Sequence, residues 1–452
     1  MLQVSQPDSA RLTGTDAGSA FLIFTLAFCH MTAVASSQVL NILVEPLKRD
    51  LAISDAQIGL LQGFAFIFVA SIVGVAVARY ADAGRRLRVI AVGIAIWSAA
   101  TVGCGLARSF EELFAARLAL GVGEIFLFPA ALSLIADAVP QERRVTAIAL
   151  FGAGGPLGAG LALLGGGWLV TAVDAGGAWF LTPWRLSFYA LGLLGLACLL
   201  LLSKLREPRS RSMGAGASWR ALGDFARRHR LALGGSVVVC IAVTFAVNAT
   251  LAWIPTHLIR TYRIDYATAG QITGVGAVIF AASGAALAGP LHNRLLRAGW
   301  SAAALSGAVA AMWVLAMFIA LIVFSRAAEP PRIAVWLLYF FAAMPTVLGP
   351  AAIQRISPVE SRASLMSVYM FLISVTAISF GPLSVGLLID RVLGTDALVG
   401  MAILIVSVAA TGIATLSLAI SRSAFVRSAD EVRRDEDAAG GAPEASATLA
   451  GR

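Results

Sequence analysis

The chain has 452 residues, of which 59% are hydrophobic and 13% charged, with a formal net charge of +9. Soluble domains carry roughly 25% charged residues, so this balance excludes a soluble enzyme or binding module and predicts an integral membrane protein. The basic excess does not predict a nucleic-acid partner, because the basic residues gather in short loops between apolar runs and no zinc or Gly-aromatic spacing accompanies them.

Residues 1–18 are polar and of mixed charge, and read as a cytosolic tail with no basic leader or small-residue cleavage site. A membrane-crossing helix needs about 20 mostly apolar residues. Twelve stretches meet that need: 19–44, 55–79, 88–107, 111–138, 144–172, 184–203, 231–257, 267–291, 299–325, 333–354, 362–390 and 397–421. An even number places both termini on one side. The loops of that side hold Arg79, Arg85, Arg86, Arg88, Arg143, Arg144 and the arginines of 204–230, whereas the opposite loops are poorer in positive charge, so both termini are expected in the cytoplasm. Abundant Arg, Ala and Gly beside few Lys point to a bacterial inner membrane.

The basic stretch 204–230 reads as a cytosolic linker between two bundles, 19–203 and 231–421, and 422–452 reads as a disordered tail. The halves echo one another. Pro140-Gln-Glu142-Arg-Arg144 is similar to Pro358-Val-Glu360-Ser-Arg362, and Gly74–Arg85 to Gly284–Arg294. Such internal repeats mark secondary transporters whose two bundles rock about a central site.

Two ionisable residues, Arg117 and Glu124, interrupt the fourth span. Seven positions correspond to two helical turns, about 10.5 Å, so both project from nearly one face. Charge at that depth belongs in a bundle interior or a substrate path, a fixed ion pair being the structural alternative. Arg117 is the candidate headgroup clamp, since a guanidinium fork suits phosphate or carboxylate. Glu124 is the candidate proton carrier, joined by His30, for which a hydrogen-bonded interior role is the alternative. Asn248, Trp253 and Tyr369 are candidate cavity groups in the second half, with ordinary helix–helix hydrogen bonding as the competing reading. Asp82, Arg85, Arg86 and Arg144 form a candidate conformational latch at the cytoplasmic loops. The four cysteines, Cys29, Cys104, Cys198 and Cys240, stand alone in apolar runs and offer no metal or disulfide pattern. No H-E-x-x-H, G-x-S-x-G or buried Asp pair occurs, so no enzyme, metal or cofactor is expected.

Gly74-Val-Ala-Val-Ala78-Arg-Tyr-Ala-Asp82-Ala83-Gly-Arg85-Arg86 resembles the loop signature of the major facilitator superfamily, with Ala78 in place of Gly and Ala83 in place of a basic residue. Several further stretches are similar to the Spinster-like branch. They are Leu40–Leu51, Ser54–Gly63, Arg117–Glu124 with Pro129–Asp137, Gly155–Trp168, Thr182-Pro-Trp-Arg185 and Arg206-Glu-Pro-Arg209. The superfamily resemblance covers about 20–420, and that to the branch rests on the first half. It implies an all-α membrane protein, twelve transmembrane helices in two six-helix bundles, alternating between inward- and outward-open states. Members of the branch are associated with lysolipids and sphingoid lipids. Where the branch carries an Asp-Arg pair on the first span, Ser36 and Ser37 stand here, beside the matching Arg117 and Glu124, and are candidate substrate contacts.

The resulting expectation is a monomeric secondary transporter for an amphipathic, anionic small molecule or lysolipid, proton-linked through Glu124. Sodium coupling, uncoupled facilitation, multidrug efflux and organic-anion uptake are the alternatives. Its partners would be that substrate, membrane lipids and the coupling ion.

Overall fold

Within a bilayer every backbone polar group must find its partner inside its own segment, so apolar runs of this length fold as helices. The computed structural model describes residues 16–64, 86–176, 182–205, 207, 219–358 and 361–440, and among these all regular structure is helical. Eleven helices are long and apolar enough to cross a membrane. Numbered by the expected order, they are span 1 Gly18–Asn41, span 3 Arg86–Leu106, span 4 Phe110–Ala138, span 5 Gln141–Asp174 and span 6 Pro183–Leu202. The second half supplies span 7 Arg230–Tyr262, span 8 Tyr266–Arg297, span 9 Ala303–Phe324, span 10 Arg332–Arg355, span 11 Ser364–Leu393 and span 12 Asp396–Asp437. Span 2 is described from Asp55–Gly59 through Leu60–Phe64. The remainder of its expected range lies outside the described residues, as do Asp82, Arg85 and the Gly74–Arg85 repeat unit.

Local chemistry sets the helix ends. Ser54 and Gln57 form a reciprocal capping box that starts span 2, and Asp265 caps span 8 by accepting from Thr268 N. Ser109 does the same for span 4 through Glu112 N. Span 7 stops where Arg263 turns left-handed at φ 53°. A short helix, Val44–Leu51, follows span 1 and ends at left-handed Ala52.

Within the linker 204–230, Trp219–Arg228 is helical. One expectation about the ends is corrected. The tail expected to be disordered from 422 continues span 12 as helix through Gly440. Its polar composition hides an apolar stripe: Phe425, Ala429 and Val432 recur at helical spacing and are buried against the second bundle. Ser428 Oγ meets His229 Nδ1 at 2.7 Å, and Arg362 Nη2 donates to Glu436 Oε1 at 2.7 Å. Residues 441–452 lie outside the described residues.

The first bundle packs span 1 on span 5 and span 3 on spans 4 and 6; the second packs span 7 on span 12 and span 10 on spans 8 and 9. Two seams join the bundles, span 5 with span 8 and span 2 with span 11. Their tightest crossings lie on the far side, away from residues 16 and 440. Small residues make this approach possible. A Cβ on Gly270 would lie 3.4 Å from Gly167 Cα and would collide with Leu163 O, and one on Gly63 would stand 2.5 Å from Ile378 O.

The span 5–8 crossing leaves no room for a side chain at either glycine. Gly270→Val should therefore cost about 1–3 kcal/mol through overpacking, read as a lower melting temperature of the purified protein. An unchanged melting temperature would mean that these spans stand apart.

Candidate substrate cavity and charged far-side seam

Between the bundles lies a cavity of about 330 Å³, lined by spans 1, 2, 5, 7, 8, 10 and 11. Its polar groups include Ser37, Gln38, Asn41, Gln62 and Asn248, and its apolar walls include Leu163, Val247, Leu251, Ala277 and Ala281. No charged side chain is among the described lining residues. Three spans pass the cavity through π-helical turns: Leu60–Phe64, Gly276–Ala281 and Ser374–Ile378. Gln62, Ala277, Ala281 and Ile378 all come from these turns and all line the cavity. A π turn adds a residue to the helical repeat and re-aims the side chains around it, as often occurs at functional sites.

On the far side of the cavity a cluster of charges crosses from one bundle to the other. Arg260, near the end of span 7, grips Asp55 with both nitrogens of its fork, Nη1 to Oδ2 at 2.8 Å and Nη2 to Oδ1 at 2.7 Å. Its Nε donates to Glu45 Oε1 at 2.7 Å. Lys48 Nζ stands 2.8 Å from Asp55 Oδ1 and 2.7 Å from Asp396 Oδ2. Ala56 N donates to Asp390 Oδ2 at 2.7 Å. Asp55 is fully buried, so its charge is tolerable only because two cations and their hydrogen bonds surround it. Glu45, Lys48 and Asp55 belong to the first half, and Arg260, Asp390 and Asp396 to the second.

Arg117 is 1% exposed and lies behind the cavity wall. Its Nε donates to Leu61 O at 3.1 Å, and its Nη1 and Nη2 donate to Ser37 O at 3.2 Å, so it ties span 4 to the backbones of spans 1 and 2. That departs from the expected headgroup clamp. Ser36, expected beside the substrate, is buried and donates to Thr32 O, while Ser37 does line the cavity. Glu124 keeps Oε1 enclosed without a hydrogen-bond partner among the described residues. His30 Nδ1 lies 3.1 Å from Phe151 O, with its ring stacked on Phe151, inside the first bundle.

In the second half, Asn248 lines the cavity. Trp253 and Tyr369 do not. Trp253 is fully buried and donates Nε1–H to Pro382 O at 2.9 Å, and Tyr369 is enclosed near Gly349 and Cys240. Bulky amphipathic rings satisfy both packing and hydrogen bonding away from the cavity, which periodicity alone does not reveal. On the terminal side, Arg86 donates to Ser133 and pairs with Asp137 at 2.5 Å, and its backbone N–H donates to the Glu207 carboxylate. These contacts join span 3 to span 4 and to the chain after span 6, within the first bundle. Arg144 Nε is enclosed with no hydrogen-bond partner among the described residues.

Sequence reasoning missed Gln38, Asn41 and Gln62 as a group and the whole far-side cluster. The first signal was available, as three amides set in apolar runs. The charges were counted only as loop charge, because their pairing spans up to 348 positions.

Two helical bundles around a central cavity, with a breakable charged seam at one end, define the architecture of an alternating-access membrane transporter. The Major Facilitator Superfamily model matches residues 26–382, and the chain belongs to that family. It is a multi-pass membrane transport protein rather than an enzyme. An MFS-type efflux pump of Mycolicibacterium smegmatis is 29% identical over 388 residues, 81% of this chain and 83% of the relative. Human protein spinster homolog 1 is 26% identical over 266 residues, 56% of this chain and 48% of its own length. A sphingosine-1-phosphate transporter of Danio rerio is 27% identical over 232 residues, covering 48% of this chain and 44% of that protein. The chain thus spans less than half the length of these two relatives, and its similarity bears out the Spinster-like resemblance. In fold, a bacterial homolog of the human lysosomal transporter Spinster, solved inward-facing and unoccupied, superposes with a TM-score of 0.75 at 20% identity, over 93% of this chain and 99% of that one.

Asp55→Asn would leave Arg260 and Lys48 short of a counter-charge, a loss of about 3 kcal/mol or more for a buried pair. The far side should open more often, raising the labelling rate of a Leu251→Cys cavity reporter by a far-side maleimide about a hundredfold. Unchanged labelling would show that packing alone holds the seam.

Proposed function

We propose that this protein is a secondary transporter that carries an amphipathic small molecule or lysolipid through the cavity between its bundles. The observation that carries this reading is the cavity itself: a set of amides and hydroxyls beside apolar walls, flanked by charge pairs that join the bundles on one side. With both termini in the cytoplasm of a bacterial cell, the joined side is external, and the described state is inward-facing. An anionic headgroup was expected from Arg117. Its guanidinium is engaged with carbonyls behind the wall, so that requirement drops out of the reading, and Arg117 becomes a positioning residue for spans 1 and 2.

Proton linkage through Glu124 is part of the proposal. An enclosed carboxyl with no hydrogen-bond partner on Oε1 among the described residues tolerates charge best when water reaches it, so a change in water access between states would bind or release a proton. Ser36 and Ser37 supply no carboxylate, so the linkage is assigned to Glu124. A second reading, efflux of diverse drugs, is favoured by the similarity to the mycobacterial efflux pump over 81% of the chain.

Reconstitution tests both. In proteoliposomes the wild-type protein should exchange a lysolipid in counterflow and accumulate it under a pH gradient. Glu124→Gln should keep the exchange and lose the pH-driven component at least about tenfold. An unaltered pH response would remove Glu124 as the carrier, and exchange of cationic dyes but not lysolipid would favour drug efflux.

A further inference from the structure

The polar end of the cavity has an internal direction. Ala252 O is a backbone carbonyl and can only accept, so the Gln62 atom 3.1 Å from it is the donor Nε2. The same nitrogen donates to Asn41 Oδ1 at 3.2 Å, which turns Asn41 Nδ2 toward Gln38 Oε1 at 2.6 Å. Each amide's orientation follows from its neighbour's, starting from a carbonyl that cannot be reversed. The relay ends on Gln38 Nε2, which donates to no protein atom among the described residues. All three amides line the cavity, so the surplus protons at the end of the relay are offered to its contents.

The end of the relay presents donors, and no cation lines the cavity among the described residues, so it selects by charge. A carboxylate or phosphate brought there would give up its hydration for neutral dipoles alone, whereas an uncharged oxygen gives up far less and gains the same hydrogen bonds. We propose that the Gln38–Asn41–Gln62 relay recognises an uncharged hydrogen-bond acceptor, such as an amide or ester oxygen, on the amphipathic substrate, whose alkyl part lies against Val247, Leu251, Ala277 and Ala281. This rests on the transport reading above and narrows its substrate class.

The relay also crosses the seam. Gln62 belongs to span 2 and Ala252 to span 7, so parting of the bundles on the far side breaks the Gln62–Ala252 bond and frees one Nε2 proton. The substrate's acceptor replaces Ala252 O at that moment. Recognition and opening are thereby linked through one side chain.

The test uses two probes with the same ten-carbon acyl chain, N,N-dimethyldecanamide and decanoate, which carry acceptor-only heads and differ in charge. Binding is measured by thermophoresis on the full chain in nanodiscs at pH 7.5. The amide should bind about tenfold more tightly than decanoate. Gln38→Glu keeps the acceptor for Asn41 and the side-chain volume but withdraws the free donors. It should weaken amide binding about tenfold with the melting temperature unchanged. Gln62→Met, which cuts the relay at its anchored end, provides a second variant should the first misfold. Equal or tighter binding of decanoate, or folded variants that bind the amide as the parent does, would overturn the recognition proposal and leave amphiphile transport standing. Failure of both probes to bind would also overturn the recognition proposal, while lysolipid counterflow decides the transport reading separately.

Discussion

Arg260 and Asp55 join the two bundles on the far side in the described state. Packing on the far side brings a fully buried carboxylate of the first bundle against a guanidinium of the second, and neither charge can remain there without the other. Such a contact adds little net stability, because its desolvation offsets much of its attraction. Lys48 and Glu45 widen it into a network, so separation breaks several charge-assisted bonds in one movement. Glycine seams set the distance at which this network forms: without Cβ atoms at Gly63, Gly167 and Gly270, spans 2 and 5 reach the backbones of spans 11 and 8.

Beneath that seam the cavity divides the labour between charge and neutral polarity. Charges operate at its far-side lid and behind its wall, while the lining offers amides, hydroxyls and apolar surface. Arg117 shows how a buried cation can serve such a site indirectly. By donating to the carbonyls of Ser37 and Leu61 it satisfies backbone groups beside the irregular turns at the end of span 1 and in span 2. Those turns place Asn41 and Gln62, the central members of the amide relay. The π turn at Leu60–Phe64 and the 3-10 turn at Val39–Asn41 therefore matter to the site as much as the side chains themselves.

The candidate site was partly legible in the sequence. Asn248 was singled out as a polar residue within an apolar span and Ser37 by its place in the family pattern, and both line the cavity. Trp253 and Tyr369 were not separable from core residues by the same criterion, since an aromatic ring with one polar atom suits either place. Arg117 was found for the right reason, intramembrane charge, but its role depended on which atoms lay within 3.5 Å of its guanidinium, and those come from positions 56 to 81 residues away.

The sequence by itself determined the class of protein, because composition, segment length and repeat pattern follow from the solvent the chain must occupy. Twelve apolar runs, a basic break near the middle and the charged fourth span needed no coordinates. Only the tertiary structure decided which polar groups meet. The pairing of Asp55 with Arg260, the direction of the Gln62–Asn41–Gln38 relay, the retreat of Arg117 behind the wall and the helical course of 422–440 all depend on contacts between distant segments. One-dimensional hydropathy carries no record of these contacts, whereas burial and hydrogen-bond geometry fix them.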